Sequence, residues 1–315
     1  MKYILVPALI LFFGVSYAFA LATPTEDLMK IGAGARPMGM GKAFTAVADD
    51  GNSVFFNPAG LAQLKSWQFT SMYVNMMEGD LPYTLVSASV PFRAVNFGLG
   101  AIATGVSNIP SPGSGSLTYF DYYDRLIFLS CATTNKYGNL SVGANLKYFQ
   151  KGFSSSVGNT GSGVNLDLGI KLQPEEDLML GANIQNVLPT DVVWTSGAQD
   201  EIPPLLKLGW GAWVLGKKAM LAADVEKALT RSQPALFHFG GEWPVNNFLC
   251  LRGGVDQIAS AASIVTSNPT AGISLTLGGA RFDYAYHPYQ DLTNYASHFI
   301  SFSFAPGKKP ASSEP

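Results

Sequence analysis

The sequence predicts an all-β fold: a 14-stranded antiparallel transmembrane β-barrel, preceded by an N-terminal glycine-rich, partly helical segment. Three observations predict it. Apolar and polar residues alternate with period two over most of the chain. Charged residues are 13% of the 315, against about 25% in an average soluble domain. The links between alternating segments are short and long by turns along the whole chain.

The first element is a leader. Lys2 precedes an apolar stretch from Ile4 to Tyr17, and Ala18-Phe19-Ala20 puts small residues at the two positions a signal peptidase reads. Residues 1–20 therefore read as a secretory signal peptide cleaved near Ala20, with the mature chain starting at Leu21 and bound for an extracytoplasmic site. No Cys follows that site, so a lipid anchor is not expected. Cys131 and Cys250 could pair outside the cytoplasm, and the sequence leaves that open.

The second element, residues 21–65, reads as a compact glycine-rich segment with short helices, the hatch of the resemblance given below. Gly32, Gly34, Gly39 and Gly41 crowd around Arg36-Pro37-Met38. Lys42 to Asp50 tolerates helix, and Asp49-Asp50-Gly51-Asn52 reads as a turn. In Asn57-Pro58-Ala59-Gly60, Asn before Pro favours a turn, and Pro58 suits the first position of a short helix. Tight packing explains Gly39-Met40-Gly41 better than a dinucleotide site does. Met29, Met38, Met40, Met72, Met76 and Met77 either pack the hatch or line an adaptable apolar surface.

The third element, residues 66–304, is the barrel. Val164, Leu166, Leu168, Ile170 and Leu172 alternate with Asn165, Asp167, Gly169 and Lys171. Phe282, Tyr284 and Tyr286 alternate with Arg281, Asp283 and Ala285. Such stripes place strands at 66–75, 82–91, 93–106, 119–134, 139–153, 162–173, 177–187, 204–215, 218–228, 235–244, 247–257, 269–278, 280–288 and 294–304. Many reach ten residues, the length a tilted membrane strand needs. Short links such as Gly216-Lys217 and Gly278-Gly279 alternate with long ones such as Leu188 to Pro203. That is the pattern of an outer-membrane barrel, with short turns toward the periplasm and long loops outside. Only a closed ring leaves no unpaired strand edge in lipid. Trp67, Tyr73, Tyr83, Tyr148, Trp194, Trp210, Tyr286 and Tyr289 lie near strand ends and fit interfacial girdles. Residues 305–315 form a polar tail.

Other classes fit poorly. Past the leader there is no apolar run long enough for a spanning helix. With 20 Lys+Arg against 22 Asp+Glu and no basic run, nucleic acid is not an expected partner. Two Cys do not make a disulfide scaffold. No catalytic set, metal site or cofactor is expected, because His238, His287 and His298 lack ligand spacing and acidic company. His238 and His298 fall on lipid-facing phases, and His287 sits beside Pro288 at a strand end. Lys147, Asp167, Lys171, Asp224, Arg252, Arg281 and Asp283 fall on the inward phase, with Lys207, Glu226 and Asp256. They either form a charged lumen wall that selects solutes or satisfy the hatch and one another.

The run Gly32-Ala33-Gly34-Ala35-Arg36-Pro37-Met38-Gly39-Met40-Gly41-Lys42-Ala43-Phe44-Thr45-Ala46-Val47-Ala48-Asp49-Asp50, with Phe56-Asn57-Pro58-Ala59-Gly60-Leu61, resembles the N-terminal region of PorV/PorQ-like proteins. These belong with the FadL-like long-chain fatty acid transporter barrels, which share the Asn-Pro-Ala element. Arg281 to Tyr286, Asp291-Leu292 and His298 to Phe304 resemble the closing strands of the same group. The resemblance implies a non-enzymatic barrel in the outer membrane of a diderm bacterium. It also implies that residues 21–65 form an N-terminal hatch inside the lumen, with Gly39, Gly41, Asn57, Pro58 and Ala59 among its fixed or gating points. Hatch-gated passage of a hydrophobic small molecule is the first expectation. A carrier role in export and surface attachment of secreted proteins is the second, with an exposed apolar loop patch such as Val192-Val193-Trp194. A structural or adhesive surface barrel is the third. Outer-membrane lipid and the barrel-assembly machinery are implied partners. The sequence departs from the pattern in continuing past Phe304, where barrel proteins commonly end.

Overall fold

A computed structural model describes residues 28–76, 81–112, 117–154, 158–188, 190–260, 263–289 and 295–307. The leader with its cleavage site, residues 21–27, Met77, Asp291-Leu292 and the tail from residue 308 lie outside the described residues.

Period-two alternation produces long strands. They are β1 (Gln68–Met76), β2 (Leu81–Phe92), β3 (Val95–Pro112), β4 (Leu117–Thr134), β5 (Leu140–Phe153), β6 (Thr160–Glu175), β7 (Leu178–Gln185) and the short pair β8 (Val192–Trp194) and β9 (Gln199–Asp200). They continue as β10 (Leu205–Val214), β11 (Ala219–Ala228), β12 (Leu236–Pro244), β13 (Leu249–Ala259), β14 (Val265–Leu277), β15 (Ala280–Tyr289) and β16 (Tyr295–Phe304). Every neighbouring pair is antiparallel, β1 pairs with β16, and β5 pairs with β6, so the sheet closes on itself. Without the β8–β9 hairpin, the sixteen strands leave fourteen in the ring, as the sequence predicts. Among the described residues no helix is long and apolar enough to cross a membrane.

The two faces of the wall separate as the stripes require. Phe69, Leu99, Leu129, Leu146, Leu168, Phe239 and Phe282 project outward and are exposed, whereas their polar neighbours project inward and are buried. A soluble protein would not leave so broad an apolar band uncovered; a bilayer covers it.

Four expectations are corrected. Tyr83 and Tyr289 belong to the inner face, not to a girdle, and their hydroxyls hold the hatch; Trp67, Tyr73, Tyr148, Trp210 and Tyr286 do face outward. His238 is buried inside, because Phe237 and Phe239 take the outward phase of β12. Residues 192–194 are strand rather than loop, and only Val193 is exposed. They form β8 on the long-loop end of β6, with Val192 buried and Trp194 donating from Nε1 to Asp200 at 2.8 Å. β3 and β4 run to 18 residues each, beyond the expected ends, because an irregularity between Val106 and Ile109 shifts the register without breaking the pairing. Cys131 and Cys250 are both free.

Leu168 is 45% exposed at mid-strand, and Leu277 is 69% exposed beside a short turn. Leu168→Arg is expected to destabilise the protein by about 2–4 kcal/mol and Leu277→Arg by about 0–1 kcal/mol. Urea titration of the protein folded into lipid vesicles measures both.

Candidate functional site

The chain from residue 28 to Leu64 fills the half of the barrel nearest the short turns. It has little regular structure: a turn at Leu28–Lys30, the helices α1 (Ala35–Gly39) and α2 (Ser53–Phe56), and a 3-10 turn at Pro58–Gln63. Isolated segments this short do not hold a helix. Their shape is imposed by the wall, and Ala33, Met38, Met40, Phe44, Val54, Phe55 and Leu61 are buried against it or one another. Met72 joins that packing from β1, while Met29 faces the cavity above.

Wall glycines make the seat. A Cβ on Gly240 would stand 2.2 Å from the Met40 carbonyl oxygen, and one on Gly254 would stand 2.5 Å from the Gly41 nitrogen. A Cβ on Gly143 would stand 2.5 Å from the Pro58 carbonyl carbon, and one on Gly181 would stand 2.5 Å from the Thr45 oxygen. Hatch backbone thus lies directly on wall backbone. Of the expected fixed points, Gly39 packs on Gly272, and Gly41 takes φ 59° against the Val255 backbone. Asn57 is fully buried. Its amide donates to the Thr45 and Ile170 carbonyls at 2.9 and 3.1 Å, and its Oδ1 accepts from the Ala59 N–H at 3.2 Å. Pro58 sits over Gly143 and Gly169.

Charges fix the seat further. Arg36 pairs with Asp49, with Asp50 at 2.9 Å and with Glu242 at 2.7 Å. Arg281 pairs with Asp50 at 2.7 Å and Asp283 at 2.9 Å, and Arg252 reaches Glu242 and Asp283 at 3.1 Å each. Burial alone would raise the pKa of Asp50, but the guanidinium groups of Arg281 and Arg36 outweigh it and hold the carboxyl well below the usual carboxylate range. Asp224 accepts the backbone N–H groups of Phe44 and Thr45 at 2.9 and 2.8 Å. Lys171 donates to the Ala48 carbonyl at 2.7 Å. Lys147 pairs with Asp167 at 2.7 Å and bonds Asn186.

The expected lumen wall is therefore corrected in part. The seven charged residues named from the sequence do project inward, but none of them lines the cavity. Four of them (Lys171, Asp224, Arg281 and, through Glu242, Arg252) tie the hatch down. The cavity, about 520 Å³, lies on the long-loop side of the hatch. Met29, Ile31, Phe56, Phe149, Ile202, Leu205, Leu236 and Tyr289 give it an apolar lining. Five cations reach it, and four of them have carboxylate partners: Lys42 with Asp256, Lys151 with Asp124, Lys207 with Glu226 and Arg231 with Glu201, at 2.9, 3.1, 2.7 and 3.8 Å. The fifth, Lys30, is exposed. Inward phase was readable in sequence for Lys207 and Glu226. The rest of the lining was not: part comes from loop and hatch residues without periodicity, and part from strand residues toward the long loops, such as Phe149, Lys151 and His238, which the alternation did not single out as lining. Among the described residues no group of three or more His, Cys, Asp or Glu could hold a metal ion.

No protein-family model and no curated protein sequence matches the chain. Solved structures match its fold. The CymD monoaromatic hydrocarbon channel superposes with a TM-score of 0.64 at 15% identity, over 88% of this chain and 97% of that one. The toluene transporter TbuX of Ralstonia pickettii gives 0.61 at 14%, over 87% and 98%. A FadL homologue of Pseudomonas aeruginosa gives 0.55 at 13%, over 91% and 99%. This chain shares their barrel architecture.

Gly240→Ala puts a methyl group into the Met40 backbone, whereas a Cβ on Gly253 meets nothing nearer than 3.9 Å. Gly240→Ala is expected to cost about 1–3 kcal/mol by overpacking and to speed amide exchange in residues 36–48. Gly253→Ala is expected to leave that exchange unchanged, and hydrogen–deuterium exchange mass spectrometry in detergent separates the two.

Proposed function

We propose that this protein is a non-enzymatic outer-membrane channel of the FadL-like type, in a diderm bacterium, that passes small hydrophobic molecules under control of its hatch. The observation that carries the proposal is the apolar cavity of about 520 Å³ directly above a buried plug. That volume is within the range of about 300–1,000 Å³ for small-molecule sites. An apolar solute entering it loses contact with water and gains apolar surface, at about 25 cal/mol per Å² buried. The solved structures that share the fold include channels described as carrying toluene or monoaromatic hydrocarbons, which supports the same class of solute here.

The charge arrangement narrows the class. Four of the five cavity cations are already paired with carboxylates, so a carboxylate ligand would have to break an existing ion pair to gain its own. A neutral apolar molecule meets no such penalty. Gly39, Gly41, Asn57, Pro58 and Ala59 serve in this reading as the points about which the hatch is held. Arg252, Arg281, Asp224 and Lys171 hold it, with Asp283 bracing Arg252 and Arg281, while Lys147 and Asp167 brace the wall behind the cavity. The export-carrier reading keeps only part of its candidate docking patch: Val193 is exposed, but Val192 is buried in the hairpin and Trp194 is bonded within it.

The test is uptake by a diderm host that lacks its own channels for apolar solutes. Cells expressing the protein are expected to take up a labelled neutral monoaromatic hydrocarbon faster than its carboxylated analogue. Leu205→Trp, which fills the cavity, is expected to cut uptake about tenfold, equivalent to about 1.4 kcal/mol. Leu215→Trp, on an exposed short turn, is expected to leave it unchanged. Equal uptake by wild type and Leu205→Trp contradicts the proposal.

A further inference from the structure

Asp256 of β13 is fully buried and faces three nitrogen atoms from three different elements. Lys42 of the hatch approaches it at 2.9 Å, His238 of β12 at 2.8 Å through Nδ1, and His287 of β15 at 2.7 Å through Nε2. Lys42 is also the bridge to the first hatch segment, since its Nζ donates to the Lys30 carbonyl at 2.9 Å. One ammonium group therefore links residues 28–32 and the Gly41-Lys42 bend to the wall, beside the Tyr83 and Tyr289 hydroxyls, which bond the Leu28, Gly32 and Ile31 carbonyls. Lys42 and His238 both line the cavity floor.

We propose that Asp256, His238, His287 and Lys42 form an acid-released latch, in which protonation of the histidines takes Asp256 away from Lys42 and frees this part of the hatch. The proposal rests on the hatch being a movable plug, but not on any particular solute. With neutral imidazoles, Asp256 has one cationic partner, Lys42. Histidine is the side chain whose charge ordinarily changes between about pH 5 and 8. Each protonated ring adds a cation beside a carboxylate that already holds one, and like charges at such distances repel. The rings are fixed on barrel strands, and Lys42 is the partner that can swing into the cavity.

Neighbouring carboxylates do not relieve the competition. Asp224 of β11 accepts the Phe44 and Thr45 amides, and Glu226 of β11 is paired with Lys207 of β10 at 2.7 Å. Opposite Asp256 across the sheet, β14 presents Asn268, which is neutral. From β15 and β16, Tyr289 and Phe299 pack rings against His287 with centroids 4.4 and 6.4 Å away. Both ring nitrogens of His238 and Nδ1 of His287 are buried without a directed hydrogen bond, so a bound proton disrupts no directed bond there.

The experiment is hydrogen–deuterium exchange of the whole protein in detergent, without solute, at pH 7.5 and pH 5.5, corrected for intrinsic rates. Peptides covering residues 28–32 and 40–43 are expected to lose protection at least about tenfold at pH 5.5, while strands β2 to β5 stay protected. In H238Q/H287Q the protection is expected to be the same at both pH values, and in Lys42→Met it is expected to be low at both. Wild-type protection that does not change between the two pH values overturns the latch, whatever the variants do. So does a pH response that persists in the folded double variant. Neither result bears on uptake, so failure of the latch and failure of the transport reading are read separately.

Discussion

Every backbone polar group and every charge that enters the lumen must find its partner there, and the rest of the structure follows from that constraint. A hatch with so little helix leaves most of its N–H and C=O groups without intrasegment bonds. The wall supplies the partners: Asp224 for the Phe44 and Thr45 amides, Lys171 for the Ala48 carbonyl, Asn183 for that of Phe56 and Tyr83 for that of Gly32. Bare wall backbone at Gly143, Gly181, Gly240 and Gly254 lets the hatch come close enough to use them. The abundance of glycine and the inward placement of charge are two aspects of one packing problem.

The same constraint explains where function can lie. The Arg36, Arg252 and Arg281 network immobilises the hatch at the short-turn half, where three guanidinium groups and four carboxylates satisfy one another. Removing one member would leave a partner charged and buried, a loss of about 3–5 kcal/mol for such pairs. Among the described residues, the ties toward the long loops include two tyrosine hydroxyls, on Tyr83 and Tyr289, and one ammonium group, on Lys42. The cavity opens beside those weaker ties, so a hatch movement that begins there leaves the charge network intact.

Much of the barrel was legible in the sequence, because strand pairing is local and period two reports which face meets lipid. Leu168 against Asp167 and Phe282 against Asp283 are read correctly from alternation alone. Asn57-Pro58-Ala59 was legible as a rigid turn, since proline fixes its own φ. The partners inside the lumen were not. Arg36 meets Glu242 across 206 residues, and Ala35 meets Ser301 across 266; no periodicity encodes such pairs. His238 was misassigned because alternation fixes spacing but not absolute phase, and a shift of one residue exchanges the faces. The β8–β9 hairpin was missed because a strand of three residues has too few positions to show a pattern.

The central claim is that the seated hatch closes the barrel at neutral pH. The most direct measurement is ionic conductance of the purified, fluorescently labelled protein inserted into a planar lipid bilayer at pH 7.5. A seated hatch predicts insertion events with no steady ohmic current, and a large steady current from a chain lacking residues 28–64. A wild-type protein that carries the same steady current as the hatchless chain would contradict the account, because a plug held by these bonds leaves no continuous water path.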